Sequence, residues 1–273
     1  MLLSRARLLG HTGAMTDDGT RYATAPRLVK AGWLVHGFGL AGWGEEDLRT
    51  TAALRGFRPV IMRQLHSDIV HRLDSMPSGK LEGDALMTDV PGFLLVIRTA
   101  DCLPVFLVDE TLRAVAAVHC GWRGTQARIL ERTVSEMTRA YGTDPADLLA
   151  ALGPCIGPNC YEVGPEVRNG FLRAGFPASI FVETRGGIPC PDNKTRDPEG
   201  RRHVLDAYVL SSSGRWLLDL RAANICLLGR LGVKPAAVWT SDACTHCEPD
   251  LLSYRRNKGE SRRMYNFIGI RSI

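Results

Sequence analysis

Three short apolar runs in the middle of the chain predict neighbouring buried strands. Residues 93–97, 103–108 and 115–118 are each uniformly apolar, and turn or charged residues bound each run. Runs of this length without polar alternation are typical of strands that are covered on both faces. Asp101 and Cys102 therefore fall in the connection between the first two strands.

A helix is predicted directly after the third strand. Apolar residues recur at helical spacing from Leu130 to Tyr141, and Gly142 follows as a stop signal. His119 is then expected to end the strand and Arg123 to open the helical segment. Unpaired backbone N–H groups at a helix start favour anions, so Arg123 is a candidate anion-binding residue.

The rest of the chain continues the alternation of strands and helices. Apolar periodicity predicts helices within 164–175 and 218–231, and apolar runs predict strands at 236–240 and 264–270. The expected fold class is α/β in an α+β layered arrangement, with a mixed β-sheet flanked by helices. No linker rich in Ser, Gly and Pro divides the sequence, so residues 1–273 are expected to form a single domain.

Composition and charge narrow the function classes. The net charge of +5 comes from interspersed Lys and Arg rather than a basic block, which argues against nucleic-acid binding. No stretch approaches the roughly 20 apolar residues of a membrane span, and residues 1–10 carry two Arg without a hydrophobic signal core. A chain of 273 residues with eight Cys is more typical of reduced thiols than of a small disulfide scaffold. The expected location is the cytoplasm.

Six motifs occur in a definite order along the chain. They are Q-L-H-S-D-I-V, G-D-A-L-M-T-D, T-A-D-C-L-P-V, V-H-C-G-W-R-G-T, G-P-C-I-G-P-N-C-Y-E-V-G and S-Y-R-R. Together they resemble the bacterial laccase-domain family, also called the multicopper polyphenol oxidase or purine nucleoside phosphorylase family. The resemblance covers the chain from about residue 37 to the C-terminus. A human macrophage member of the family is also a purine nucleoside enzyme.

The resemblance implies a metal site formed by His66, Cys102 and His119. Two imidazoles and a thiolate suit zinc, with copper as the alternative, and three protein ligands leave a fourth position for water or substrate. Gaps of 36 and 17 residues match no local metal-binding spacing, so the convergence of the three side chains comes from the resemblance alone. All three fall at expected strand ends or turns.

The implied activity is phosphorolysis of adenosine, inosine and methylthioadenosine, together with adenosine deamination. In this interpretation the metal activates water for attack on C6 of adenosine, and phosphate attacks the ribose C1′ in phosphorolysis. Arg123 is the candidate phosphate ligand, and Asp101 is a candidate substrate-site residue that shuttles a proton or orients a ligand. The expected partners are purine nucleosides and phosphate, and the chain is expected to be a monomer or homodimer. The preferred nucleoside stays open.

Three other functions fit parts of the same pattern. Cys102 with His119 as its base would make a Cys–His hydrolase, whose activity survives chelation. A copper-dependent polyphenol oxidase with several copper centres would need more than the seven His present, none of which forms an H-x-H pair. A non-catalytic metal-binding interaction module would show no turnover.

Several motif residues also have purely structural interpretations. Cys102 could be a buried structural thiol, and Asp84 and Asp89 could be turn residues around a strand within 83–89. Cys120, beside His119, could be an extra ligand or an oxidation liability.

Two segments carry further open questions. The cysteines of 155–160 and 244–247 could together make a four-thiolate structural zinc site. Residues 183–214 are rich in Pro, Gly and charge, and they predict an exposed loop or lid of unknown role.

Overall fold

A computed structural model describes residues 22–184 and 215–272 of the protein. The described strands are β1 Tyr22–Ala23, β2 Leu34–Gly39, β3 Arg58–Ile61, β4 Val70–Arg72, β5 Ala85–Thr88, β6 Phe93–Thr99, β7 Leu103–Asp109, β8 Ala114–Cys120, β9 Leu148–Leu152, β10 Glu162–Val163, β11 Phe181–Thr184, β12 Arg215–Leu218, β13 Val238–Thr240 and β14 Met264–Ile270. The described α-helices are α1 Pro26–Val29, α2 Glu45–Thr50, α3 Trp122–Gln126, α4 Ile129–Tyr141, α5 Pro165–Arg173 and α6 Leu220–Arg230.

These strands form three sheets. The largest has the order β13-β9-β7-β8-β5-β4, the second has the order β1-β2-β14-β6-β3, and the smallest has the order β10-β12-β11. The two large sheets mix parallel and antiparallel pairs: β7 and β8 are antiparallel, whereas β13 runs parallel to β9 and β3 parallel to β6. The predicted mixed α/β class is confirmed.

Strand β8 lies at the centre of the packing. It contacts β6 and β14 of the second sheet and also helices α3 and α4. All seven of its residues are buried, from Ala114 to Cys120. A strand covered by a sheet and by helices must be apolar throughout, which explains the uniform run seen in the sequence.

The predicted strand and helix boundaries are close to those observed. Helix α4 ends at Tyr141 and is capped by Gly142, which adopts a left-handed conformation with φ of 78°. The Asp219 carboxylate caps α6 by accepting a hydrogen bond from the Ala222 N–H. The strand expected at 236–240 is shorter, because Pro235–Ala237 forms a 3₁₀ turn before β13. Proline can start such a turn but cannot donate to a sheet ladder.

The described helices are too short or too polar to cross a membrane. Within the predicted loop at 183–214, Glu183 and Thr184 end strand β11. The remainder of that segment and residues 1–10 lie outside the described residues.

Candidate functional site

His119 is held at the end of β8 by a buried carboxylate. Its Nδ1 lies 2.7 Å from the Asp84 Oδ1, and both side chains are almost fully buried. A carboxylate oxygen accepts, so Nδ1 carries the proton. Nε2 of His119 is thereby left to ligate or to act as a base.

The same carboxylate shapes the loop that carries His66. Its two oxygens accept hydrogen bonds from the backbone N–H groups of Leu65, His66 and Ser67 and from the Ser67 hydroxyl. His66 has a φ of 60°, in the left-handed region that a non-glycine residue rarely adopts. Asp84 therefore fixes two imidazoles that lie 53 positions apart in the sequence.

The structure brings His66, Cys102 and His119 together. Their potential ligand atoms all lie within 4.8 Å of one another, and the Cys102 Sγ is 3.9 Å from the His66 Nε2. Burial increases from one member of the group to the next: His66 is exposed, Cys102 is half-buried and His119 is buried. The group is anchored on the sheet and opens toward solvent on the His66 side. We call it the His-Cys-His group.

Gly121 leaves the space in which these three side chains meet. A Cβ at this position would lie 3.0 Å from the His66 ring, 3.1 Å from the Cys102 Sγ and 3.7 Å from the His119 ring. Its φ of −69° suits any residue, so the requirement for glycine is one of space. The absence of a side chain at Gly121 lets the backbone pass close to the imidazole and thiol groups of the three residues.

The electrostatics of the group favour an ionised thiol. Burial by itself raises the pKa of the Cys102 thiol. The positive charge of His119 and the hydrogen bonds from His119 and His66 have a larger opposite effect, and together they lower this pKa to about 6. Burial lowers the pKa of His119, yet the Cys102 thiolate and the hydrogen bond to Asp84 raise it to about 9. Burial raises the pKa of Asp84, but hydrogen bonds from His119 and Ser67 lower it to about 2. Without a metal, the group is a thiolate beside an imidazolium.

Asp101 anchors the connection that carries Cys102. The Asp101 Oδ1 accepts a hydrogen bond from the Thr245 hydroxyl at 2.6 Å, and its Oδ2 accepts one from the backbone N–H of Arg255 at 2.7 Å. The backbone of Asp101 has a φ of 90°. Both carboxylate oxygens thus bind groups of the C-terminal loops. This geometry favours the orienting role for Asp101 over proton transfer.

Arg123 lies at the start of α3, two residues after Gly121. It is exposed, and its guanidinium lies 4.4 Å from the centre of the Trp122 ring. None of its described contacts joins it to the His-Cys-His group. Its role in phosphate binding stays a prediction.

The two arginines of the S-Y-R-R motif differ in what they contact. Arg256 donates to the carbonyl oxygens of Thr245, His246, Glu248 and Leu251, so its guanidinium is committed to holding that loop. Arg255 donates to the Glu162 carbonyl and lies over the Tyr161 ring at 5.5 Å.

The structure does not assemble the four-thiolate site considered for the paired cysteine segments. Cys155 and Cys244 are buried, and they form a backbone bridge to each other. Cys160 and Cys247 instead group with His246. Cys120 is fully buried in the core, which raises the pKa of its thiol well above the ordinary value, and it does not belong to the His-Cys-His group.

Asp84 and Gly121 are the residues whose importance the sequence interpretation missed. A turn role is the structural alternative that the sequence offers for Asp84, but its side chain is fully buried and binds the loop at 65–67 and His119. The available signal was the G-D-A-L-M-T-D motif, where a carboxylate directly precedes an apolar strand. An Asp in that position can be buried with the strand rather than exposed in the turn.

Substituting Asp84 tests its orienting role. In Asp84→Asn the amide replaces one acceptor by a donor, so the hydrogen bonds to His119 and to the loop at 65–67 cannot all form. We expect metal affinity to fall about 10–100-fold in a chelator competition assay. Asp109→Asn is the matched control, because Asp109 is also a buried carboxylate that accepts backbone N–H groups. Equal affinities for the two variants would contradict the role assigned to Asp84.

Gly121→Ala tests the need for space above the group. The added methyl must displace the His66 ring or the Cys102 Sγ, and we expect at least about tenfold weaker metal binding by isothermal titration calorimetry. Gly79→Ala, where a Cβ meets nothing within 4 Å, is the control. Wild-type affinity in Gly121→Ala would contradict the need for a residue without a Cβ at this position.

The low pKa of Cys102 predicts its reactivity in metal-free protein. Thiolate is the nucleophilic form and exists above the pKa, so alkylation by iodoacetamide should rise with pH through a midpoint near 6. The extent of Cys102 alkylation is measured by mass spectrometry of the Cys102 peptide across a pH series. In denatured protein the midpoint should return to about 8.5. A native midpoint equal to the denatured one would refute the thiolate–imidazolium pair.

Comparison with known proteins identifies relatives over most of the chain. The model of a family described as multi-copper polyphenol oxidoreductase laccase matches residues 45–271. A purine nucleoside phosphorylase of Deinococcus radiodurans is 37% identical over 210 residues, which is 77% of this chain and 69% of that protein. Adenosine deaminase RL5, from an unknown prokaryotic organism, is 35% identical over 77% of this chain and 74% of its own length.

A solved structure shares the fold. YlmD from Geobacillus stearothermophilus superposes with a TM-score of 0.74 at 26% identity, over 94% of this chain and 98% of that one. The names of the relatives support an enzymatic role, and the family together with the His-Cys-His group suggests metal binding. The resemblance inferred from the motifs is confirmed, and the chain belongs to the multi-copper polyphenol oxidoreductase laccase family.

Proposed function

We propose that the protein is a metal-dependent purine nucleoside enzyme. It carries out phosphorolysis of adenosine, inosine and methylthioadenosine to the free base and ribose or methylthioribose 1-phosphate, and it deaminates adenosine. The observation that carries the proposal is the convergence of His66, Cys102 and His119 on one point, with His119 oriented by Asp84. Relatives named purine nucleoside phosphorylase and adenosine deaminase supply the substrate class.

The donor set fits a soft divalent ion. Two imidazole nitrogens and one thiolate suit zinc, and copper is the alternative. Gly121 keeps the space between the donors free of a Cβ. When bound, such an ion supplies Lewis acidity to an oxygen nucleophile.

The residues of the chain then have separate tasks. His119 presents Nε2 because Asp84 holds its Nδ1–H, and Cys102 is ionised at neutral pH. Asp101 fixes the connection before Cys102 through Thr245. These contacts position the ligands before substrate arrives, which lowers the cost of ordering them.

The bond changes of the two reactions define what must be bound. In phosphorolysis a phosphate oxygen forms a bond to C1′ of the ribose, and the C1′–N9 bond breaks as the protonated base leaves. In deamination a water oxygen attacks C6, and the C6–N6 bond breaks to release ammonia. Arg123, exposed two residues beyond Gly121, is the proposed phosphate ligand because a guanidinium fork matches phosphate oxygens.

A Cys–His hydrolase is the second candidate. The thiol, imidazole and carboxylate of Cys102, His119 and Asp84 stand in the order of a nucleophile, a base and its orienting group. This activity would need no metal and would persist in the presence of a chelator.

The proposed setting follows from the same group. A functional Cys102 thiolate requires a reducing compartment, so we place the protein in the cytoplasm. The single domain over 1–273, the monomeric or homodimeric state and the absence of nucleic-acid partners stay predictions.

A nucleoside assay on the metal-loaded protein tests the proposal. We expect release of adenine, hypoxanthine or methylthioribose 1-phosphate that depends on added phosphate, and release of ammonia from adenosine that does not. His66→Ala removes a ligand and should reduce both activities at least about 100-fold. His71→Gln is the matched control, because the His71 Nε2 contacts the Glu82 carbonyl and not the His-Cys-His group.

The outcomes separate the candidate functions. No turnover of any nucleoside by fully metallated wild type would sink the proposal and favour a binding module. Activity that is unchanged by chelation would favour the Cys–His hydrolase. Oxidation of polyphenols by the copper-loaded protein, without nucleoside turnover, would favour the laccase-like alternative.

A further inference from the structure

An exposed arginine lies beside the connection that carries Cys102. The backbone N–H of Arg255 donates to the Asp101 Oδ2 at 2.7 Å, and Asp101 directly precedes Cys102 in the sequence. This hydrogen bond ties the main chain of Arg255 to the residue next to a proposed metal ligand. The function proposed above makes no use of the Arg255 side chain.

The Arg255 guanidinium is held against the loop at 161–162. It lies 5.5 Å from the centre of the Tyr161 ring, and one of its nitrogens donates to the Glu162 carbonyl at 3.0 Å. The loop itself is fixed to β12, because the Leu218 N–H donates to the Tyr161 carbonyl at 2.9 Å. A planar guanidinium that is restrained in this way loses little freedom when it binds a further group.

Tyr161 borders the His-Cys-His group. Burial raises the pKa of the Tyr161 hydroxyl, and the next largest cause that raises it is the charge of the Cys102 thiolate, whereas Arg255 opposes the increase. Such charge effects fade over about 10 Å in salt solution, so the interacting groups are close neighbours. The tyrosine is half-buried and the arginine is exposed, which places the guanidinium on the solvent side of the ring.

The carboxylates near the Arg255 guanidinium have other partners. Asp101 accepts from the Thr245 hydroxyl and from the Arg255 main chain, and the Glu162 carboxylate pairs with Arg215 at 2.6 Å. Among the described residues, no ion pair includes the Arg255 guanidinium. A guanidinium has five N–H donors, so donors remain for an anion.

Phosphate is the proposed substrate that such a cation attracts most strongly. Adenosine, inosine and methylthioadenosine carry no net charge at neutral pH, whereas phosphate is an anion. A guanidinium matches two phosphate oxygens through parallel N–H bonds, and its positive charge balances that of the anion. An arginine without a carboxylate partner beside a metal site is therefore better suited to phosphate than to the nucleoside.

We propose that Arg255 is a phosphate ligand of the His-Cys-His site and that Tyr161 positions its guanidinium. The proposal rests on the phosphorolysis proposed above, and it adds to Arg123 a second guanidinium from a different loop. It places the phosphate on the side of the site that is formed by residues 161–162 and 255.

Kinetics of the zinc-loaded protein test the role of Arg255. Arg255→Gln should raise the KM for phosphate at least about tenfold in phosphorolysis of inosine, because a charge-assisted contact is lost. Adenosine deamination uses no phosphate, so its kcat/KM should stay within about twofold of wild type. Arg58→Gln is the matched control and should change neither activity. Arg58 is also an exposed arginine over an aromatic ring, and its partner Phe93 begins β6, at the end farther from Cys102.

Two variants of Tyr161 test its positioning role. Tyr161→Leu removes the ring beside the guanidinium and should raise the KM for phosphate about threefold, as expected for an exposed cation–π contact. Tyr161→Phe keeps the ring, so its KM for phosphate should match that of wild type. An equal loss of phosphate affinity in the two variants would refute the positioning role of the ring.

Phosphate binding without a nucleoside gives a readout that does not depend on catalysis. Isothermal titration of inorganic phosphate into the zinc-loaded protein should show at least about tenfold weaker binding for Arg255→Gln than for wild type or Arg58→Gln. This result in a protein that turns over no nucleoside would support the phosphate ligand although the proposed function fails. Circular dichroism verifies that each variant is folded.

Three results would overturn the role of Arg255. The first is a KM and an affinity for phosphate in Arg255→Gln that equal those of wild type. The second is an equal loss of phosphorolysis and deamination in this variant, which would show that Arg255 acts through the fold of the site. The third is wild-type protein that neither binds phosphate nor carries out phosphorolysis.

Discussion

The hydrogen bonds of the buried Asp84 carboxylate are the interaction on which the candidate site depends. One side chain binds the His119 Nδ1, the Ser67 hydroxyl and three consecutive backbone N–H groups. Loss of these hydrogen bonds would leave the Asp84 charge buried without partners, which costs free energy. The carboxylate therefore holds the loop at 65–67 and the end of β8 together. The left-handed backbone of His66 is maintained by this network rather than by local preference.

The regular part of the fold could be predicted because its residues are covered on both sides. Strand β8 is uniformly apolar since sheet and helices enclose it, and the α4 stop at Gly142 is a local property of glycine. Strands β1, β4 and β10 have two or three residues each and show no detectable period. Their existence depends on tertiary pairing, which single-sequence patterns do not contain.

The candidate site likewise has residues that the sequence motifs identify and residues whose role depends on tertiary structure. His66, Cys102 and His119 were identified from motifs of a family, because nothing in their spacing reveals that they meet. Asp84 was missed because an Asp beside a Gly usually caps a turn, whereas its burial is decided by β5 entering the sheet. The grouping of Cys160 with Cys247, rather than of all four cysteines, likewise follows from the bridge between two loops.

Anomalous diffraction at the zinc edge from crystals of the zinc-loaded protein tests the central claim most directly. The account predicts a peak bonded to the His119 Nε2, the His66 ring nitrogen and the Cys102 Sγ, at about 2.0–2.1 Å from nitrogen and about 2.3 Å from sulfur. A fully metallated crystal with no anomalous peak among these three side chains would contradict it.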